Sequence, residues 1–207
     1  MTRRRDPFMQ ALESLRSRAE QGVYVPGTPV VIMDEARRLN LSTTPVREAL
    51  VWLCGYGLVE RSPMGGFLAP RLDPAIVRDR FAFRLQCVLN SLSRSGHSPA
   101  REQGLGGSDP SGADLAAQML RAVRGTGNAA LTDAYGRVCR QLIQLVPAEA
   151  RLFPDLAEEE ANVVRMFETA DDGLPDALGH YHRRRIEAAP LLILEAEAAR
   201  STTDDPG

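Results

Sequence analysis

Residues 39–53 read LNLSTTPVREALVWL. Three hydroxyl side chains, Ser42, Thr43 and Thr44, stand with a proline directly ahead of an amphipathic run, and Arg47 lies one turn inside it. Small hydroxyl side chains let a helix end approach a surface closely, and they donate hydrogen bonds to phosphate oxygens or base edges. A helix N-terminus adds free N–H groups and a partial positive charge that favour an anion. An arginine one turn in can bind a guanine edge through two hydrogen bonds, worth about 1–3 kcal/mol of discrimination. Taken singly, Thr-Thr-Pro is helix capping and Arg47–Glu48 is a solvated pair. Their order and spacing point instead to contact with a polyanion such as double-stranded DNA.

Other residues extend this pattern. Gly65 and Gly66, in SPMGGFLAP, would let a hairpin tip bring its backbone close to a groove. Arg37 and Arg38 stand late in the preceding helical run, where phosphate contact and plain solvent exposure are both open. Arg3, Arg4 and Arg5 would form an arm along a phosphate backbone.

Such side chains need a frame. Phe8, Met9, Leu12, Leu15 and Ala19 recur at three- and four-residue spacing and predict a helix over 8–21. Gly22 and Val25-Pro26-Gly27 stop it and turn the chain. A second helix is expected over 31–39, with Asn40 as its C-terminal cap. A third begins with Ser42 or Thr43 as cap and buries Val46, Leu50, Leu53 and Cys54. Leu58–Glu60 and Phe67–Ala69 read as two short strands around a glycine turn. Three helices and a hairpin wing in this order make a winged helix-turn-helix, expected over residues 1–72. From residue 73 to 207 the pattern is all helical, with runs near 74–93, 113–124, 128–146, 155–170 and 174–199. Pro190 should break the last of these near Ala188–Ala189. The Gly/Ser/Pro-rich stretch between the first two, which holds His97, reads as a long mobile loop, and the tail as frayed. The fold class is therefore mostly α, a winged helix followed by an all-α helical bundle domain.

Composition sets the limits. All 25 basic residues are arginine. Residues 1–72 carry 10 arginines against 7 acids, whereas the remainder carries 15 against 20, so the basic part is the one with the candidate DNA face. No apolar stretch is long enough to cross a membrane, and MTRRRDPF lacks a signal core, so a cytoplasmic protein is expected. Cys54, Cys87 and Cys139 sit in apolar periodic runs and read as buried free thiols. Neither a Gly-rich phosphate loop nor a Ser/His/Asp or Cys/His order suggests catalysis.

VYVPGTPV followed by ARRLNLSTTPVREALVWLCGYGLVERSPMGGFLAP resembles the N-terminal domain of the GntR family of bacterial transcription regulators. The likeness spans about residues 8–70, and Thr44–Leu50 (TPVREAL) is its specific part. It implies a dimer on a pseudo-palindromic operator, with DNA contacts from Thr44, Arg47, Gly65 and Gly66. The family usually carries an arginine where this chain has Thr43, which implies a lost contact or altered base preference. The helix before it also departs from the family, with an apolar start and its arginines late.

The helical remainder is similar to the ligand-binding domain of the FadR-like subgroup. There the resemblance implies a candidate ligand site formed by Arg84, Asp114, Asn128 and His182. Family members often hold a metal through an Asp and three His. Here Met119 stands where one histidine is expected, none lies near Ala161–Asn162, Asp114 is only near the aspartate position, and His182 is near the last ligand. No metal or other cofactor is expected. Arg84 is then either the anchor for an organic-acid effector or half of an ion pair with an acid such as Glu160. Tyr135 and Tyr181 read as half-buried packing residues, and Arg183–Arg185 as a solvated face. The domain either answers to an effector or serves only dimerisation or protein interaction.

Overall fold

The computed structural model describes residues 6–94 and 114–203. The expected arginine arm (Arg3–Arg5), the long loop with His97 and the end of the tail lie outside the described residues.

Helix α1 spans Pro7–Glu20, with proline in its first turn and the Asp6 carboxylate accepting from the Phe8 N–H at 3.1 Å. Helix α2 spans Ile32–Leu39 and ends on Asn40, whose φ of 53° is left-handed. Helix α3 spans Thr43–Gly55. Strands β1 (Glu60–Arg61) and β2 (Phe67–Leu68) pair antiparallel, with Glu60 opposite Leu68 and Arg61 opposite Phe67. The segment before α2 joins this ribbon: Pro29 bridges Leu68, and the Val30 N–H donates to the Phe67 carbonyl at 2.9 Å. Ala11, Leu15, Val30, Val46, Leu50, Leu53, Val59 and Phe67 close one core beneath these elements. The apolar positions of α1 and α3 interlock there, which leaves the other side of α3 to solvent.

Asp73 caps α4 (Pro74–Arg94), accepting from the Ala75 and Ile76 amides. Then follow α5 (Leu115–Gly125), α6 (Ala129–Leu142), a 3-10 turn (Ile143–Leu145), α7 (Val146–Leu152), α8 (Leu156–Thr169), α9 (Leu174–Glu187) and α10 (Ala189–Thr203). Two apolar clusters fill this part. One contains Leu72, Val77, Phe81, Leu142, Leu145 and Leu192. The other contains Val88, Met119, Val123, Tyr135, Leu178 and Tyr181.

Three sequence expectations need revision here. The helix expected to run to 146 ends at Leu142, and the chain re-forms as α7, because Pro147 sits in a first turn where its missing N–H costs nothing. Arg183–Arg185 is not a solvated face. Arg183 is exposed, but Arg185 is fully buried, because it falls on the inner face of α9 with Leu178, Tyr181 and His182. Tyr135 and Tyr181 are buried rather than half-buried. The break at Pro190 falls where expected, with α9 ending at Glu187 and α10 starting at Ala189. All three cysteines are free, with Cys87 buried and Cys54 and Cys139 partly so.

Candidate functional site

At the start of α3, Ser42 occupies the N-cap position with extended backbone, but its hydroxyl caps none of the first-turn amides. Ser42 and Thr44 are exposed, Thr43 is half-buried, and Arg47 and Glu48 are exposed. Val46, Ala49, Leu50 and Leu53 point the opposite way, into the core. Burial of that stripe fixes which face α3 offers, namely hydroxyl groups at its end and Arg47 one turn in. A shallow surface depression beside Arg47 is lined by Phe8, Glu48, Val51 and Trp52.

The wing turns through Ser62–Gly66. The Gly65 N–H donates to the Ser62 carbonyl at 3.0 Å, and the Ser62 N–H to the Gly66 carbonyl at 3.1 Å. Gly65 and Gly66 have φ of 92° and 82°, and a Cβ on either would meet open space. Backbone conformation, not crowding, demands glycine there. Between Ser62 and these glycines Met64 is 96% exposed, and Arg61 is exposed on β1. Sequence patterning did not single out Met64, since one methionine in a turn carries no periodic signal. Arg37 is exposed and pairs with Asp34 at 3.3 Å. Arg38 instead binds the buried Glu35 at 2.7 Å and the Ser14 hydroxyl at 2.8 Å, tying α2 to α1.

In the helical domain the structure brings Arg84 and His182 together but not Asp114 and Asn128. Asp114 caps α5 by accepting from the Ala116 N–H, and Asn128 caps α6 by accepting from the Leu131 N–H; both are exposed. Arg84 does not pair with Glu160. Its Nε donates to His182 Nε2 at 3.1 Å, while Glu160 accepts from the Tyr181 hydroxyl at 3.2 Å. Tyr181 and His182 are adjacent on α9, and the first binds the acid while the second binds Arg84.

His182 is held in one tautomer. Its Nδ1 lies 2.8 Å from the Leu178 carbonyl, which can only accept, so the proton sits on Nδ1 and Nε2 is free to accept from Arg84. Burial, then the Arg84 and Arg185 charges, push the imidazole down to about 3, so it stays neutral. Arg84 therefore has a neutral partner. Its guanidinium lies over the Phe81 and Tyr181 rings, and its Nη2 is buried with no hydrogen-bond partner among the described residues. Burial works against that charge, and Tyr181 and Glu149 support it, with a net upward shift. Arg185 has more partners, two of them carboxylates, although its Nη2 is likewise buried without a partner among the described residues. It binds Glu149 at 2.6 Å, Glu159 at 3.0 Å and the Tyr181 carbonyl at 2.7 Å, with its guanidinium 3.3 Å from the centre of the Tyr181 ring. Among the described residues no group of three or more His, Cys, Asp or Glu gathers as metal ligands.

No family model matches the chain. A curated protein of Streptomyces ambofaciens, described as an uncharacterized HTH-type transcriptional regulator in an unstable DNA locus, is 35% identical over 91 residues. The match takes in 44% of this chain and 37% of that relative's length. Among solved structures, E. coli McbR/YncC superposes with a TM-score of 0.61 at 18% identity, covering 90% of this chain and 98% of its own. A GntR-family regulator of Pseudomonas syringae pv. tomato str. DC3000 covers 93% of this chain and 88% of its own at 17% identity, with a TM-score of 0.36, too low to bear on the argument. Over nearly its whole length, the chain shares the fold of E. coli McbR/YncC.

Proposed function

We propose that the chain is a DNA-binding transcription regulator of GntR type, not an enzyme, and that it grips a pseudo-palindromic operator as a homodimer. The observation that carries this reading is the outward face of α3. Ser42, Thr44 and Arg47 are exposed at a helix start whose capping side chain makes no bond, while the opposite stripe is locked in the core. Ser42, Thr43 and Thr44 serve phosphates and base edges, Arg47 enters the major groove, and Gly65 and Gly66 carry the wing to the minor groove. Arg37 is exposed enough to reach a phosphate, since its surface pair with Asp34 is weak. The 35% identity over 91 residues to the Streptomyces HTH-type regulator supports the same reading. The two-domain division at residues 72 and 73 gives each activity its own unit. Exposed Ile76 and Phe83 on α4, flanking a groove toward α6, offer an apolar surface for the second copy.

The test is direct. A duplex enriched from a random-sequence library on the full chain should lose roughly 5- to 150-fold in affinity with Arg47→Ala, since one good bidentate pair is worth about 1–3 kcal/mol. Binding should also fall steeply with salt. An Arg47→Ala chain that binds as tightly as the wild type refutes the assignment of α3.

One observation favours effector response over a domain that only dimerises. Arg84 is a buried cation whose hydrogen-bonded partner is neutral and whose Nη2 has no acceptor among the described residues, and a small organic acid would supply that acceptor. Asp114 and Asn128, each occupied as a helix cap, take no part in this reading. Carboxylates that raise the thermal midpoint of the wild type but not of Arg84→Met support this reading. A panel that shifts neither leaves dimerisation as the domain's role.

A further inference from the structure

The C-terminal end of α3 is held by the other domain. Helix ends leave carbonyls without partners. Two at this end are met locally: the Gly57 N–H donates to the Cys54 carbonyl at 3.0 Å, and the Leu58 N–H to the Leu53 carbonyl at 3.1 Å, around Gly57 at φ 68°. The Tyr56 carbonyl is met from outside, by Gln141 Nε2 on α6 at 2.9 Å. The Arg140 guanidinium lies 4.6 Å from the centre of the Tyr56 ring, and Trp52 stacks on that ring at 5.2 Å. Gly57 fits this contact as well as the turn, because a Cβ there would stand 2.2 Å from the Gln141 amide nitrogen.

We infer that Gln141 and Arg140 are positioning residues for the recognition helix, fixing the angle at which α3 is presented to DNA. The inference rests on the DNA-binding, dimeric reading above. Neither residue touches the face that carries Ser42, Thr44 and Arg47; both act through Tyr56, at the far end of the same rigid helix. Their own helix has a second contact. At about 100° per residue, Tyr135 and Cys139 lie on the side of α6 opposite Gln141, and both are electrostatic neighbours of Arg84. Helix α6 thus packs against α4, the helix that carries Arg84, with one face, where Tyr135 joins Cys87 and Val88, and meets the end of α3 with the other. In a dimer, the consequence of such a hold is a fixed spacing between two recognition helices.

Trp52 is the chain's one tryptophan, so its emission reports on the contact. Gln141→Glu keeps the side-chain length but has no hydrogen to donate to the Tyr56 carbonyl. Arg140→Met removes the cation and keeps the stem, and Arg140→Lys restores a cation. Acrylamide quenching of Trp52 should rise in the first two full-length variants and stay at the wild-type level in Arg140→Lys. On duplexes enriched by the wild type, the first two should bind paired half-sites roughly tenfold more weakly, the scale of one lost hydrogen bond for Gln141→Glu and of one lost cation–ring contact for Arg140→Met. Single half-sites should bind unchanged, and discrimination against spacers lengthened by one or two base pairs should be lost. Wild-type quenching and spacer discrimination in both variants overturn the inference. If the wild type enriches no duplex, the DNA-binding reading fails, while Trp52 quenching still decides whether α6 holds α3.

Discussion

Three consecutive arginines, Arg183, Arg184 and Arg185, differ in environment because successive helical residues turn through successive faces. Arg183 is exposed. Arg184 reaches sideways to Asp155 and Glu159 and lies over the Phe153 ring. Arg185 is enclosed, with Glu149 from α7 and Glu159 from α8 as counter-charges. Arg185→Ala should cost about 3–5 kcal/mol in urea unfolding, because it strands the buried Glu149 carboxylate. Arg183→Ala should stay within about 0.5 kcal/mol of wild type, as surface substitutions do. Equal costs for the two would contradict the burial of Arg185. The same logic explains why Arg84 was hard to read. A buried arginine announces itself among Phe81, Leu85 and Val88, but its partner comes from a helix about a hundred residues away, and sequence spacing holds no record of that.

At the scale of elements, what was legible is what local chemistry specifies. Helix α1, the α2–α3 pair and the wing follow from apolar period, glycine and proline. Asn40 is the sharpest case, since its left-handed φ of 53° closes α2 and starts the turn into α3. Replacing it with glycine should leave thermal stability essentially unchanged, whereas Asn40→Val should lose about 1–2 kcal/mol, the cost of a Cβ in that region. A harmless valine would mean that the turn is not held left-handed in solution. Helix α7 was illegible for the opposite reason. Its proline looks like a stop, and the seven residues of Val146–Leu152 are too few to show a period. The missing helix mattered, because Glu149, the partner of Arg185, stands on it. The α6 contact with Tyr56 was equally hidden: Gln141 is an ordinary polar residue in sequence, and only tertiary packing places it under a helix-end carbonyl. Of the candidate DNA face, the exposed start of α3 and the left-handed turn at Gly65 and Gly66 were legible because they obey local rules. The pairing of Arg84 with His182, and the capping roles of Asp114 and Asn128, were not.

At the scale of the whole molecule, the buried polar centre makes stability depend on pH, with a sign that can be worked out. His182 is neutral in the folded chain and held down to about 3, against an ordinary value near 6.5, by burial and by Arg84 and Arg185. In the unfolded chain it takes up a proton as pH falls through 6.5; in the folded chain it does not until near 3. The unfolded state therefore binds more protons throughout that window, so the stabilisation is complete above 6.5 and lost as pH falls toward 3. The slope is about 1.4 kcal/mol per pH unit, so pH 5 should cost about 2 kcal/mol relative to pH 7. Asp155, held below its ordinary range by Arg184, gives up its share only at lower pH. Glu160, raised by burial, works in the opposite sense and offsets part of the loss. His182→Gln keeps an acceptor for Arg84 but no longer titrates. Urea unfolding at pH 7 and pH 5 should show the loss in the wild type and a clearly smaller one in His182→Gln. An equal loss in both would place the acid sensitivity elsewhere and remove the argument that Arg84 faces a neutral histidine.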